Sequence, residues 1–307
     1  MKVPVRGELF AVGETVNIAK TVGRDATRPD GAGPARVPVS AAMDRTPVIA
    51  ALEDGVLTLT LNRPQRLNAM SPALIEAINR ELARAKDDGD VRAVLLTGVG
   101  RGFCAGADLA DGGPGEDAGD GPRDLGAAMD RLFNPMIRAI RQLPKPIVAA
   151  VNGVAAGGGA NLALACDIVL AARSARFDQA FVRISLIPDL GGTYFLPHIV
   201  GDARARGLAM LGGSVPAEEA ARMGMVWQVF DDDALMAEAQ KLAHRLAKGP
   251  TLSYAAIKQA MNAAATNTLE QQLDLERDSQ VALNRSADFK EGVAAFLAKR
   301  PANFTGR

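Results

Sequence analysis

The chain has 307 residues, 48% hydrophobic and 23% charged, enough to bury a substantial core in one large domain or two small ones. Thirty-five Lys and Arg balance thirty-five Asp and Glu, so no net field draws nucleic acid or a charged membrane, and 4% aromatics leave no stacking platform for single strands. No apolar run reaches the ~18 residues of a membrane span and no basic-then-apolar leader opens the chain, which points to the cytoplasm. Cys104 and Cys166 sit among small apolar residues, without the spacing or the histidines of a metal site, and read as buried free thiols of a reducing compartment.

Residues 1–46 are rich in Gly, Pro and Arg without periodicity; they read as a disordered extension, with a short ordered piece over 8–18 and Met43 as an alternative start. Val56 to Leu61 alternates Leu with Thr, the period of a strand with one buried face. Ser71-Pro72 opens an amphipathic helix whose Leu74, Ile78 and Leu82 share a face, ending near Lys86. Val91 to Thr97 reads as a buried strand running into GRGFCAGADL, a small-residue turn with Asp108 as a cap. Residues 111–124 are Gly, Asp and Pro-rich and read as an irregular loop, and a helix from Leu125 to Gln142 comes after it.

Residues 146–193 organise the rest. Ile147 to Val151 reads as a buried strand, Asn152-Gly153 as a turn, Gly157-Gly158-Gly159 as a glycine loop and Ala160 to Cys166 as a helix. Such a loop either lets helix and strand pack closely or bares N–H groups to an anion; its spacing fits neither nucleotide-phosphate fingerprint. Asp189, in the apolar run LIPDLGGT, is either a helix N-cap or a carboxyl whose proton affinity is raised by desolvation. His198 reads as a structural contact and His244 as a surface or packing residue on a helix from Ala234 to Ala247. A short strand is expected around Trp227 to Phe230, then two longer helices, with Phe289, Val293 and Phe296 as a core-facing stripe.

Together AVNGVAAGGGANLALACDIVLA, GRGFCAGADL and SLIPDLGGTYFLPHIVG resemble the crotonase (enoyl-CoA hydratase/isomerase) superfamily, from about Val48 to the C-terminus. The resemblance implies an α/β fold, a crotonase-type spiral of repeated ββα units over 47–245 with a helical trimerisation region over 246–307, assembled as a homotrimer or a dimer of trimers. It implies an acyl-CoA substrate, with coenzyme A arriving as part of it and neither metal nor other cofactor. The N–H groups of Ala107 and Gly158 would converge on the thioester oxygen. Ala105, with Asp108 and Leu109 beside it, would lie along the coenzyme A path. Arg66, in the turn Gln65-Arg66-Leu67-Asn68, and Lys299 would either meet coenzyme A phosphates or stand solvated. Asn161 would orient the substrate or cap the helix.

Hydratases of this superfamily carry two glutamates that activate and protonate water. Here those places hold Asn161 and Phe181, which cannot move protons in that way. One carboxylate remains, Asp189, where the isomerase branch carries its acid/base. The distal segments ARGLAMLGGSVPAEEAARMGMVWQVFDDDAL and TNTLEQQLDLERDSQ resemble the phenylacetate-pathway branch that isomerises ring-1,2-epoxyphenylacetyl-CoA. A Δ3,Δ2-enoyl-CoA isomerase or hydratase-like enzyme is the neighbouring reading. A thioester hydrolase, which would need a carboxylate-activated water, and a non-catalytic binding protein are the others.

Overall fold

Leu57, Leu59 and Leu61 are buried while Thr58 and Thr60 are half-buried, so the alternation expected of this stretch is the strand β2 (Val56–Leu61). A computed structural model describes residues 46–109 and 124–307; apart from their end residues 46 and 124, the N-terminal extension and the 111–124 loop lie outside the described residues. β2 pairs antiparallel with β1 (Val48–Glu53) across Asp54-Gly55, whose φ values of 47° and 81° are those of a tight hairpin turn. The expected helix is α1 (Pro72–Asp87): the Ser71 side chain accepts the Leu74 N–H at 3.3 Å, and Leu74, Ile75, Ile78 and Leu82 are buried.

From β3 (Ala93–Gly98) onward the chain repeats one pattern. A strand joins a large sheet, the next strand joins a small one, and one or more helices return the chain to the start. β3 and β4 (Gly102–Cys104) make the first such pair, β5 (Ile147–Val151) and β6 (Val154–Ala156) the second, β7 (Ile168–Ala172) and β8 (Arg176–Asp178) the third. The large sheet runs β1-β2-β3-β5-β7-β10, with β10 (Gln228–Phe230) at its edge and every pair but β1–β2 parallel. The small sheet runs β4-β6-β8-β9, where β9 (Ser214–Pro216) is antiparallel to β8. Parallel strands need crossovers on their faces, so the large-sheet strands read as unbroken apolar runs; Val94, Leu95, Val148 and Ala149 are wholly buried. This is the ββα spiral that the resemblance implied.

The helices return after each pair: α2 (Leu125–Ala128) and α3 (Asn134–Gln142), α4 (Gly158–Leu164), then α5 (Gly192–Val200) and α6 (Asp202–Leu211). The single helix expected over 125–142 is broken by a π turn at Met129–Phe133. Pro135 has no N–H to give to residue 131, and a wider turn there, with Asn134 bonding to Met129, absorbs the missing link. α7 (Ala217–Arg222) precedes β10, and α8 (Leu235–Ala247) buries Leu235, Ala239, Ala243 and Leu246 and packs on β3, β5 and β7.

The C-terminal helices are α9 (Thr251–Ala264), α10 (Leu269–Leu283) and α11 (Ala287–Leu297). One expectation fails here: Phe289, Val293 and Phe296 do share a face of α11, but that face is open, at 47%, 44% and 82% exposure. Periodicity identifies an apolar face without saying whether its cover lies in the same chain. α11 is instead tied to the chain's own tail, through Glu291 with Arg300 at 2.7 and 2.8 Å and the Asp288 carboxylate with the N–H groups of Thr305 and Gly306 at 2.7 and 2.8 Å. No helix among the described residues is long and apolar enough to cross a membrane.

Candidate active site

β4, β6 and β8 are parallel neighbours, so the chain leaves all three at the same edge of the small sheet. Open parallel sheets gather their ligand-facing loops at such an edge. β4 leads into Ala105 to Asp108, β6 into the glycine loop, and β8 into Gln179 and a 3-10 turn over Ala180–Ile184.

The first loop is held by its neighbour. Ala105 N–H donates to Leu67 O at 3.0 Å, Met70 N–H to Gly106 O at 2.7 Å and Asp108 N–H to Met70 O at 3.1 Å. In this parallel bridge Met70 engages the groups on either side of Ala107, so the Ala107 N–H itself points away from Met70. Asp108 pairs with Arg63 at 2.7 Å, and Arg63 also donates to Ala69 O, which clamps the two loops together.

The glycine loop folds as it does because of contacts a side chain would forbid. Gly157 takes φ 52° and donates to Asp178 O at 2.7 Å. A Cβ on Gly159 would stand 2.0 Å from the Cys104 carbonyl oxygen, so α4 can lie against β4 only with glycine there. The helix therefore starts at Gly158 rather than at the expected Ala160. As its first residue, Gly158 has an N–H with no partner inside the helix. A Cβ on Gly106 would lie 3.5 Å from Gly158 N, which measures how closely the two loops approach.

Asp189 meets this point from the third coil. Its Oδ1 lies 3.5 Å from where a Cβ on Gly158 would be, is buried, and has no hydrogen-bond partner. Of the two readings the sequence left open, the carboxyl is not the helix cap: Gly191 occupies that position for α5, and the Asp189 main-chain carbonyl accepts the Gly192 N–H at 2.8 Å. Burial raises its pKa from 3.8 to about 6, against a smaller lowering by its own N–H. Met70 Cε at 2.7 Å and Leu190 Cδ1 at 3.0 Å face the same Gly158 position, and the Phe181 ring lies 3.7 Å from that of Gly157, so the surroundings are apolar.

Asn161 turns into the interior. It is completely buried, its Nδ2 donates to Asp189 O at 2.8 Å, and its Oδ1 accepts Gln179 Nε2 at 2.9 Å. Arg66 stands exposed at the end of a 3-10 turn over Pro64–Arg66, beside the Leu67 carbonyl that holds Ala105. Leu109 is 53% exposed. Lys299 is exposed just beyond α11, and among the described residues no hydrogen bond or ion pair joins it to this cluster. Arg63, Met70 and Gln179 carry the site without having been singled out in the sequence, because each acts through a partner remote in the chain.

Neither histidine approaches the cluster through a hydrogen bond: His198 and His244 each bond the carbonyl four residues earlier in their own helix, Tyr194 at 2.6 Å and Gln240 at 2.8 Å. A groove of about 920 Å³ bordered by Arg141, Tyr194, His198, Trp227 and Lys258 has its two strong cations already engaged. Lys258 is spent on Asp167 at 2.8 Å and Arg141 on Ala165 O at 3.3 Å. Among the described residues no group of three or more His, Cys, Asp or Glu could hold a metal ion. Cys104 and Cys166 are free and buried, which pushes both thiols up to about 12.

One carboxyl of near-neutral proton affinity beside outward-facing main-chain donors can take a proton from carbon while the donors hold the charge that appears on a neighbouring carbonyl oxygen. Known proteins of similar sequence and structure place the chain among its relatives. The chain is 53% identical over 85% of its length, and 98% of the relative's, to the 1,2-epoxyphenylacetyl-CoA isomerase of Escherichia coli (strain K12). It is 47% identical over 83% of its length, and 96% of the relative's, to a protein of Rhodobacter capsulatus named "Probable enoyl-CoA hydratase". The crystal structure of enoyl-CoA hydratase from Bacillus anthracis superposes with a TM-score of 0.79 at 32% identity, covering 85% of this chain and all of that one (100%). With residues 51–307 matching the profile of the Enoyl-CoA hydratase/isomerase family as well, the chain belongs to that family.

Proposed function

We propose that the protein is an acyl-CoA isomerase with Asp189 as its acid/base, acting on 2-(1,2-epoxy-1,2-dihydrophenyl)acetyl-CoA to give the seven-membered oxepin thioester. One observation carries this: the Asp189 carboxyl oxygen is buried without a partner, 3.5 Å from the Cβ position of Gly158, and the E. coli relative is an isomerase of that substrate. Removing the α proton puts charge on the thioester oxygen, which the N–H groups of Ala107 and Gly158 would accept; such a donor contributes ~3 to 4 kcal/mol to lowering the barrier. Opening the bond shared by the three- and six-membered rings and returning the proton to a ring carbon keeps every atom of the substrate. The same proton transfer would shift a double bond from position 3 to position 2 of an enoyl-CoA, the neighbouring reading.

Hydration is disfavoured by the surroundings. Phe181 offers a phenyl ring and Asn161 a buried amide where a hydratase needs two carboxylates. The test is incubation in D2O with the epoxide and separately with a 3-enoyl-CoA. The expected result is an isomer of unchanged heavy-atom mass with deuterium washed into the carbon skeleton. A product heavier by one water, or release of free coenzyme A thiol, would overturn the reading in favour of a hydratase or a thioester hydrolase.

The chain works without metal or further cofactor in this reading, coenzyme A being part of the substrate. We place it in the cytoplasm, in keeping with two buried free thiols. It assembles as a homotrimer or a dimer of trimers, which the open apolar face of Phe289, Val293 and Phe296 supports. Sedimentation at micromolar concentration should give three or six times the 32.1 kDa chain mass. A stable single-chain species would refute the assembly.

A further inference from the structure

The turn that carries Asp189 is held under backbone strain. Leu190 has φ 48° and Gly191 φ 78°, so two consecutive residues stand in the left-handed region and the first of them is a buried leucine. A non-glycine residue there costs of order 1 kcal/mol or more and persists only where its surroundings insist on it. Two groups grip the Asp189 carbonyl: Gly192 N–H at 2.8 Å, from within the turn, and Asn161 Nδ2 at 2.8 Å, from outside it. Asn161 sits on α4, one turn after Gly158, so its side chain joins the helix that presents the donor to the segment that presents the carboxyl.

An amide can face either way, and here its direction is imposed. The Asp189 carbonyl can only accept, so it takes the Asn161 NH2 at 2.8 Å and leaves Asn161 Oδ1 to accept Gln179 Nε2 at 2.9 Å. Gln179 is 2% exposed and comes directly after Asp178, whose carbonyl accepts the Gly157 N–H at 2.7 Å. One short stretch after β8 therefore fixes both the glycine loop and, through Asn161, the carboxylate turn. Space for another arrangement is small: a Cβ on Gly192 would stand 2.2 Å from Asn161 Nδ2.

We infer that Gln179 and Asn161 are positioning residues for the proton transfer, a buried amide relay that ties the strained Asp189-Leu190-Gly191 turn to the helix bearing the Gly158 N–H and so keeps base and donor at one spacing. This rests on the proposed acid/base role of Asp189. Displacing a reacting group by a fraction of an ångström slows chemistry without weakening binding of the remote parts of a ligand. The relay therefore governs kcat, and KM only slightly.

The experiment compares wild type, Asp189→Asn, Gln179→Met, Asn161→Leu and the Gln179→Met/Asn161→Leu double variant, each checked by thermal melting, for kcat and KM with the epoxide thioester across pH. Gln179→Met keeps the length of the side chain and removes the donor. The expected outcome is a fall in kcat of about tenfold with KM within twofold, a displaced acid limb of the pH profile, and a double variant no slower than Asn161→Leu alone, because the two act in series. Should Gln179→Met fail to fold, Gln179→Leu, which likewise removes the donor with a smaller side chain, takes its place with the same expectation. If the Gln179 variant turns over at the wild-type rate while Asp189→Asn is inactive, or if the two relay substitutions add, the inference falls and the role of Asp189 stands. If Asp189→Asn is as active as wild type, the role of Asp189 fails first and the relay with it.

Discussion

Asp189→Asn should abolish most turnover and at the same time make the protein more stable. Losing a general acid/base of this kind slows the reaction by roughly 10²- to 10⁴-fold. Stability moves the other way because the folded protein holds the Asp189 proton more tightly than a free side chain would, with a pKa of about 6 against 3.8. For a carboxyl raised in this direction, ionisation opposes folding. The penalty is absent below about pH 3.8, grows as pH rises, and is fully present above about pH 6. At about 1.4 kcal/mol per pH unit, asparagine should recover up to roughly 3 kcal/mol at pH 7 and next to nothing at pH 4. Thermal melts of the two proteins at pH 4 and pH 7 read the difference. In the wild type, kcat/KM should fall tenfold per unit below about pH 6, since only the ionised carboxyl accepts a proton. An acid limb near pH 4, or an Asn variant that gains no stability at pH 7, would refute the burial-based account of this group.

The second large effect separates two adjacent glycines. Gly159→Ala puts a methyl group 2.0 Å from a main-chain carbonyl of β4, which cannot rotate away, so α4 must lift off the small sheet. Overpacking against side chains costs about 1 to 3 kcal/mol, and against backbone the loss should exceed about 3 kcal/mol. Gly158→Ala meets instead the flexible end of Met70 at 2.7 Å and Leu190 Cδ1 at 3.0 Å, and stands 3.5 Å from Asp189 Oδ1. That variant should fold with a small loss and lose activity, since its methyl occupies the ground between donor and carboxyl. Urea unfolding of both variants decides the matter; equal midpoints would mean that Gly159 is not held by the Cys104 carbonyl.

Much of this was legible in the sequence wherever the cause is local. The Leu and Thr alternation of β2, the Ser71 cap of α1, and the strand, glycine loop and helix around Gly158 come from period, capping and turn chemistry within about ten residues. The position of Asp189 in an apolar run signalled desolvation correctly, although the sequence left capping open as well. What could not be read depends on which coils of the spiral end up side by side. Arg63 and Asp108 pair across 45 positions, and Gln179 reaches Asn161 across 18. Asn161 was expected at the substrate or at a cap, and nothing near it in the chain indicates that its amide turns inward to Asp189. The stripe on α11 shows the same limit from the other side, since spacing reveals an apolar face but not its cover.

The alternation of strands between two sheets also bears on how the chain comes to be active at all. Ala107, Gly158 and Asp189 belong to three successive coils, and apart from the β1–β2 hairpin the large sheet is built from pairs far apart in the chain. Such pairings form late and slowly, because each must close a long loop before it is rewarded. Under the mechanism proposed above, a growing polypeptide would hold its first donor long before its base, and a nascent chain lacking the third coil could not deprotonate a thioester.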